Sequence, residues 1–145
     1  MALTQPIGRF SGGGLWELVE QWECPLSDGS LLVVMPGFQS DGASIPRFLW
    51  PAVGPRFNPR TFAAAFCHDA LYASKLRSRA FADNEFRRHL SMLSFRLERC
   101  YWLAVRVFGR SAWRRHKEHS VERAKMYVSI RRCNALLRKD SHGAG

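Results

Sequence analysis

Apolar and polar positions along the chain change period several times, and each change marks an element. Leu15 to Trp22 reads as one strand and Leu31 to Met35 as a second, β-branched one. Ser27-Asp28-Gly29 between them supplies hairpin turn chemistry. Ahead of the strands, residues 1–14 carry Pro6, Gly8 and Gly12-Gly13-Gly14 and predict an irregular arm. Residues 47–60 hold three prolines and predict a loop anchored by Phe48 and Trp50.

Helical signals follow. Asn58-Pro59 is a well-formed helix start, so a helix is expected from about Arg60 to Ser74. From Phe62 to Ala73 only His68 and Asp69 can carry a charge, and a helix that is apolar all round is a buried one. Ala82, Phe86, Leu90, Leu93 and Leu97 form the stripe of a second helix starting near Arg79. The apolar stretch from Tyr101 to Phe108 is expected to stop at Gly109 as a C-cap. A last amphipathic, basic helix is expected from Ser111 to Arg138, with Trp113, Val121, Ala124, Tyr127, Val128 and Leu136 among its apolar residues.

Buried polar residues carry the candidate chemistry. An isolated charge inside a buried helix is costly, so His68 and Asp69 must be paired, hydrogen-bonded or metal-bound. His68 and Tyr72 share a face, four residues apart, and Asp69 points about 100° away around the axis. Asp83 lies on the inward side of the second helix, where an antiparallel neighbour brings it level with His68. A carboxylate at one ring nitrogen orients an imidazole, fixes its tautomer and makes it a better base for activating water. Asp69 is then available to a divalent cation. Backbone carbonyls of the Asp41 to Ile45 loop, with Gly42 and Ser44 in it, would complete the oxygen-rich shell that Ca2+ prefers. Two plainer arrangements stay open. Asp41 to Pro46 can be an Asx-type turn leading into a helix capped by Ser44, and His68, Asp69 and Asp83 can be a polar network that pins helices without turnover.

Other hydrolase types are excluded. Phosphohydrolases built on a His-Asp doublet need an earlier His ligand, and no His precedes His68. Ser44 sits in Gly-Ala-Ser-Ile-Pro, which is not a nucleophile elbow.

Composition narrows the setting. The 145 residues, 46% of them hydrophobic, suffice for one domain with a real core. No run of eighteen apolar residues could span a membrane, and Met1 to Gly14 lacks a signal-peptide core, so a cytoplasmic start is expected. Cys24, Cys67, Cys100 and Cys133 are widely spaced, so reduced thiols are expected and a structural zinc is not. The net charge of +10 concentrates between Arg114 and Lys139, where nine Lys or Arg face two Glu. Arg114, Arg115, Lys117, Arg131 and Arg132 in this region suit an anionic membrane, nucleic acid or an acidic protein face; a merely solvated helix face fits equally.

Three motifs then stand together: Gly37-Phe38-Gln39-Ser40-Asp41-Gly42-Ala43-Ser44-Ile45-Pro46-Arg47, His68-Asp69-Ala70-Leu71-Tyr72, and Ser78-Arg79-Ala80-Phe81-Ala82-Asp83-Asn84-Glu85-Phe86. In these, over roughly residues 15–113, the chain resembles a phage and prophage family of uncharacterised small proteins, with Ser40 where that family has Thr. The resemblance implies a phage setting, with synthesis in a host cytoplasm and association with a virion among the expectations. More distantly, His68, Asp69, Tyr72 and Asp83 resemble the active-site helices of secreted phospholipase A2, and Asp41-Gly42-Ala43-Ser44 resembles the calcium loop of its bacterial forms. That resemblance implies His68 as the base, Asp83 as its orienter, Asp69 as a Ca2+ ligand and lipid acyl esters as substrates. The disulfide pairs of that class are missing.

The expected fold is therefore α+β and mostly helical: an irregular arm (1–14), a globular domain (15–113) with a small hairpin, a loop and two core helices, and a basic helical extension (114–145). The expected function is a phage-encoded, metal-assisted hydrolase. The alternative is a non-catalytic virion or interaction protein that binds nucleic acid or a virion partner through its basic helix.

Overall fold

A computed structural model describes residues 3–40 and 58–132. The chain folds as a mixed α+β structure, with most strands N-terminal and the helices after them. Its strands are β1 (Gly8–Ser11), β2 (Leu15–Leu18), β3 (Trp22–Pro25), β4 (Ser30–Val34), β5 (Gln39–Ser40) and β6 (Val128–Arg132). They form two antiparallel three-stranded sheets among the described residues, ordered β1-β2-β5 and β3-β4-β6. The helices are α1 (Phe62–Ser74), α2 (Arg79–Met92), α3 (Glu98–Arg115) and α4 (Glu118–Lys125).

The single strand expected over residues 15–22 is instead two strands in different sheets, and Glu20 explains the division. In one continuous strand Trp16, Leu18, Glu20, Trp22 and Cys24 would share a face. Four of these are buried, and a carboxylate among them would need a partner, so the chain bends at Glu20 and leaves it exposed. The predicted turn is present between β3 and β4. Gly29 has φ +78°, and the Asp28 carboxylate accepts from the Ser30 amide at 3.0 Å and from its hydroxyl at 2.5 Å. Gly8–Ser11, expected in the irregular arm, pairs with β2.

Helix α1 is buried along its length, as its composition requires. Phe66 sits at its centre, with Trp16, Trp22 and Phe38 packed edge-on at centroid distances of 5.3, 5.3 and 5.5 Å. Its other side meets α2 and α3, where Ala64, Ala65, Phe86, Leu90, Tyr101 and Val105 form a second cluster.

Among the described residues the helical region holds four helices rather than two core helices and a terminal one. The stripe expected to run to Leu97 ends with α2 at Met92: Ser94 takes φ +55°, and the Phe95 amide turns back to the Leu90 carbonyl at 3.0 Å. Phe95 thereby packs on Tyr101. Gly109, expected as a cap, lies inside α3.

The basic helix expected over 111–138 is also corrected. It breaks after Arg115, resumes as α4, and then becomes β6. Val128 and Ile130 alternate with Ser129 and pair with Val34 and Leu32. Strand β4 is buried at all five positions and takes β6 as its second neighbour, a tertiary demand that outweighs local helical periodicity. No helix of the described residues is long and apolar enough to cross a membrane.

Candidate functional site

Two adjacent helices bring the predicted dyad together. His68 Nε2 lies 2.9 Å from Asp83 Oδ1, and the same oxygen accepts the Tyr72 hydroxyl at 2.6 Å. Asp83 is fully buried. Its Oδ2 accepts from Arg106 of α3 at 2.8 Å and from Arg79 at 3.4 Å. The two arginines were not foreseen as partners; Arg79 stands one turn before Asp83 at a spacing that favours such pairs, but Arg106 enters only through tertiary packing. The His68 ring is held between Tyr72 and Phe86, at centroid distances of 4.0 and 5.0 Å.

These contacts shift Asp83 and Tyr72 in opposite directions. Burial pushes the Asp83 carboxyl up, yet hydrogen bonds from His68, Tyr72 and Arg106 outweigh it and hold the group below the ordinary carboxylate value. Burial, and then the bond to Asp83, pushes the Tyr72 hydroxyl far up, so it remains a donor. An ionised Asp83 is an acceptor for a proton on His68 Nε2, the ring nitrogen that faces it.

A pH dependence follows from the depressed Asp83 value. Between the folded value and the unfolded value of about 3.9 the unfolded chain binds more protons, so stability falls as pH is lowered through that window. In acid titrations followed by urea unfolding, the stability difference between wild type and Asp83→Asn is expected to be constant above about pH 5 and to shrink below about pH 4. A difference that does not change with pH would remove the ion-pair account.

A cleft of about 350 Å³ is lined among others by Phe38, Ser40, Asp69, Tyr72, Arg115 and His116; it takes in Tyr72, while His68 and Asp83 are not among its described lining residues. Asp69 is half-buried, and its Oδ2 accepts from the Ser40 hydroxyl at 2.5 Å. It is the one carboxylate among the described lining residues, which also include Arg115. One carboxylate and one hydroxyl are too few by themselves for the six to eight oxygens of calcium. Asp41, Gly42 and Ser44, expected to complete that shell, lie outside the described residues.

The five basic residues do not share one helix. Arg114 and Arg115 close α3, Lys117 precedes α4, and Arg131 and Arg132 lie on β6. All five are exposed, and Arg131 stands 3.9 Å from Glu23.

Sequence reasoning missed a third group. Cys24 of β3, Cys67 of α1 and His89 of α2 are fully buried, and their ligand atoms lie within 4.8 Å of one another, a set able to hold a metal ion. The Sγ atoms of Cys24 and Cys67 are 3.3 Å apart, and Cys24 Sγ is 3.5 Å from His89 Nε2. The hydrogen bond with Cys67 lowers the Cys24 thiol, while burial pushes the Cys67 thiol well up. These donors are soft and unlike the oxygens that calcium takes. The three residues are far apart in sequence and match no ligand-spacing motif; the one available signal was Cys67 beside His68 on a helix with no exposed face.

The family model described as "Protein of unknown function (DUF1353)" matches residues 16–130. No curated protein and no solved structure matches the chain.

Proposed function

The chain belongs to the DUF1353 family, and from that premise we propose that it is a hydrolase, in a phage or prophage setting, that cleaves an acyl ester of a lipid. The observation that carries this reading is the 2.9 Å contact between His68 Nε2 and a fully buried Asp83 on adjacent helices, with Asp69 and Tyr72 of the His68 helix lining a cleft. His68 is the general base. With Nε2 committed to Asp83, its Nδ1 takes a proton from water as the water attacks the ester carbonyl, and later returns it to the leaving alkoxide. Asp83 holds the ring and stabilises the imidazolium, and Tyr72 holds Asp83. Leu15 and Phe38 on one side of the cleft and Arg115 on another suit an anionic amphiphile. Asp69 would be the protein ligand of a hard cation such as Ca2+, which when bound would polarise the carbonyl; the remaining steps do not depend on it.

Wild type and His68→Gln, assayed for fatty-acid release from anionic phospholipid vesicles with and without added Ca2+, test this directly. Glutamine can still donate to Asp83, so the unfolding midpoint is expected to stay close to wild type while turnover falls about 10²- to 10⁴-fold. Equal turnover in the variant, or none in the wild type under either condition, sinks the hydrolase reading.

One observation favours a second reading. Both Asp83 oxygens are bonded and three helices meet there, an arrangement that also serves a non-catalytic virion or interaction protein. In that case the exposed Arg114, Arg115 and Lys117 would contact nucleic acid or a virion partner.

A further inference from the structure

We propose that Cys24, Cys67 and His89 bind a thiophilic divalent cation, Zn2+ in kind, which staples β3 to α1 and α2. The site is separate from the His68 dyad, and the inference does not rest on the hydrolase reading.

Distances come first. In a tetrahedral zinc site, with Zn–S of about 2.3 Å and Zn–N of about 2.0 Å, neighbouring sulfurs stand about 3.8 Å apart and sulfur and nitrogen about 3.5 Å. The observed separations are 3.3 Å for the sulfur pair and 3.5 Å for Cys24 Sγ to His89 Nε2. The sulfur pair has to open by a fraction of an ångström, and Cys67 Sγ and the His89 ligand nitrogen lie within the 4.8 Å that encloses all three ligand atoms.

The histidine supplies an independent observation. His89 is fully buried, and its Nδ1 has no hydrogen-bond partner among the described residues. Every polar contact of the ring is crowded on Nε2 instead: Pro25 O at 3.1 Å, Arg88 Nη2 at 3.1 Å, Cys24 Sγ at 3.5 Å and Glu85 Oε2 at 3.7 Å. One nitrogen cannot donate to the carbonyl and accept from the guanidinium together. In either tautomer Nδ1 is the ring nitrogen without a partner among the described residues; a metal bond at Nε2 would use the lone pair of the Nδ1–H tautomer and so settle the competition between donor and acceptor at Nε2.

Charge agrees with a divalent ion. Glu85 and Arg88 form an ion pair at 2.9 Å beside the site and cancel each other. Two thiolates then cancel a 2+ cation, so the loaded site is neutral, as burial demands. Glu85, 2% exposed, stands 3.7 Å from His89 Nε2 and is held by Arg88 and the Ser27 amide, beside the ligand set and not within it.

Full-length protein, reduced and stripped by chelator, is titrated with Co2+ and then with Zn2+. The expected result is one Co2+ per chain with a thiolate-to-cobalt charge-transfer band, bleached by stoichiometric Zn2+, and a higher unfolding temperature for the zinc form. Cys24→Ser and His89→Gln should lose the band, whereas Cys100→Ser, at an exposed position apart from the cluster, should keep it. Because a core variant can fail to fold, the wild-type spectrum decides. Folded, reduced wild type with no such band overturns the proposal, as does a band that survives both Cys24→Ser and His89→Gln. An oxidised protein whose intact mass shows the loss of two hydrogens, and which binds no cobalt after reduction, replaces the metal site with a thiol redox pair.

Discussion

Replacing Asp83 with alanine is expected to lower the free energy of unfolding by about 3–5 kcal/mol, the usual cost of removing one partner from a buried ion pair. The size follows from what is left behind. Asp83 is fully buried and accepts from His68, Tyr72, Arg79 and Arg106. Without it two guanidiniums face each other across an apolar gap, and a hydroxyl and a ring N–H lose their acceptor. Urea unfolding by circular dichroism measures the loss. Arg106→Met should cost much less than Asp83→Ala, because Arg106 is one of two cations on Oδ2 and is partly exposed. A loss below about 1 kcal/mol for Asp83→Ala, the range of surface pairs, would mean that the network is solvated and not the tie described above.

Gly109→Ala is expected to destabilise the fold, although alanine in a helix interior ordinarily gains about 1 kcal/mol over glycine. Gly109 is buried in α3, and a Cβ built there would stand 2.5 Å from the Tyr72 hydroxyl. Tyr72 cannot retreat freely, since that hydroxyl is bonded to Asp83 at 2.6 Å and its ring packs edge-on against Trp113. Overpacking costs about 1–3 kcal/mol, so after the helix gain of about 1 kcal/mol the expected net loss is up to about 2 kcal/mol. Tyr72→Phe removes the clashing atom, so the Gly109→Ala penalty should largely vanish in the Tyr72→Phe background. A double-mutant cycle with no coupling would show that the helix shifts to make room.

Local chemistry told most where local chemistry decides. The Ser27-Asp28-Gly29 turn, the buried α1 and the meeting of His68 with Asp83 all follow from short-range rules: turn dihedrals, a helix without a polar face, and two inward positions on neighbouring helices. Where tertiary demand decides, the sequence misleads. Val128 to Arg132 fits a helical stripe, but β4 is buried throughout and pairs with it. Gly109 looks like a helix stop because its reason for being glycine, the Tyr72 hydroxyl, is supplied by another helix. Arg106 and the Cys24, Cys67 and His89 group escape for the same reason: Arg106 reaches Asp83 from another helix, and the three ligands come from three elements, at spacings no motif encodes.

The position of β6 also governs how the chain can reach its fold. One edge of β4 pairs with its immediate neighbour β3, and the other edge with residues near the far end of the described chain. During synthesis the first pairing can form early, while the second edge waits for the residues between to be made, on the order of ten seconds at ordinary elongation rates. For that interval Leu31, Leu32, Val33 and Val34 present an open, β-branched edge without charge, the kind of edge that pairs with other chains. Yield at the ribosome is therefore set by how long this edge stays uncovered, a kinetic exposure distinct from the equilibrium stability of the finished protein.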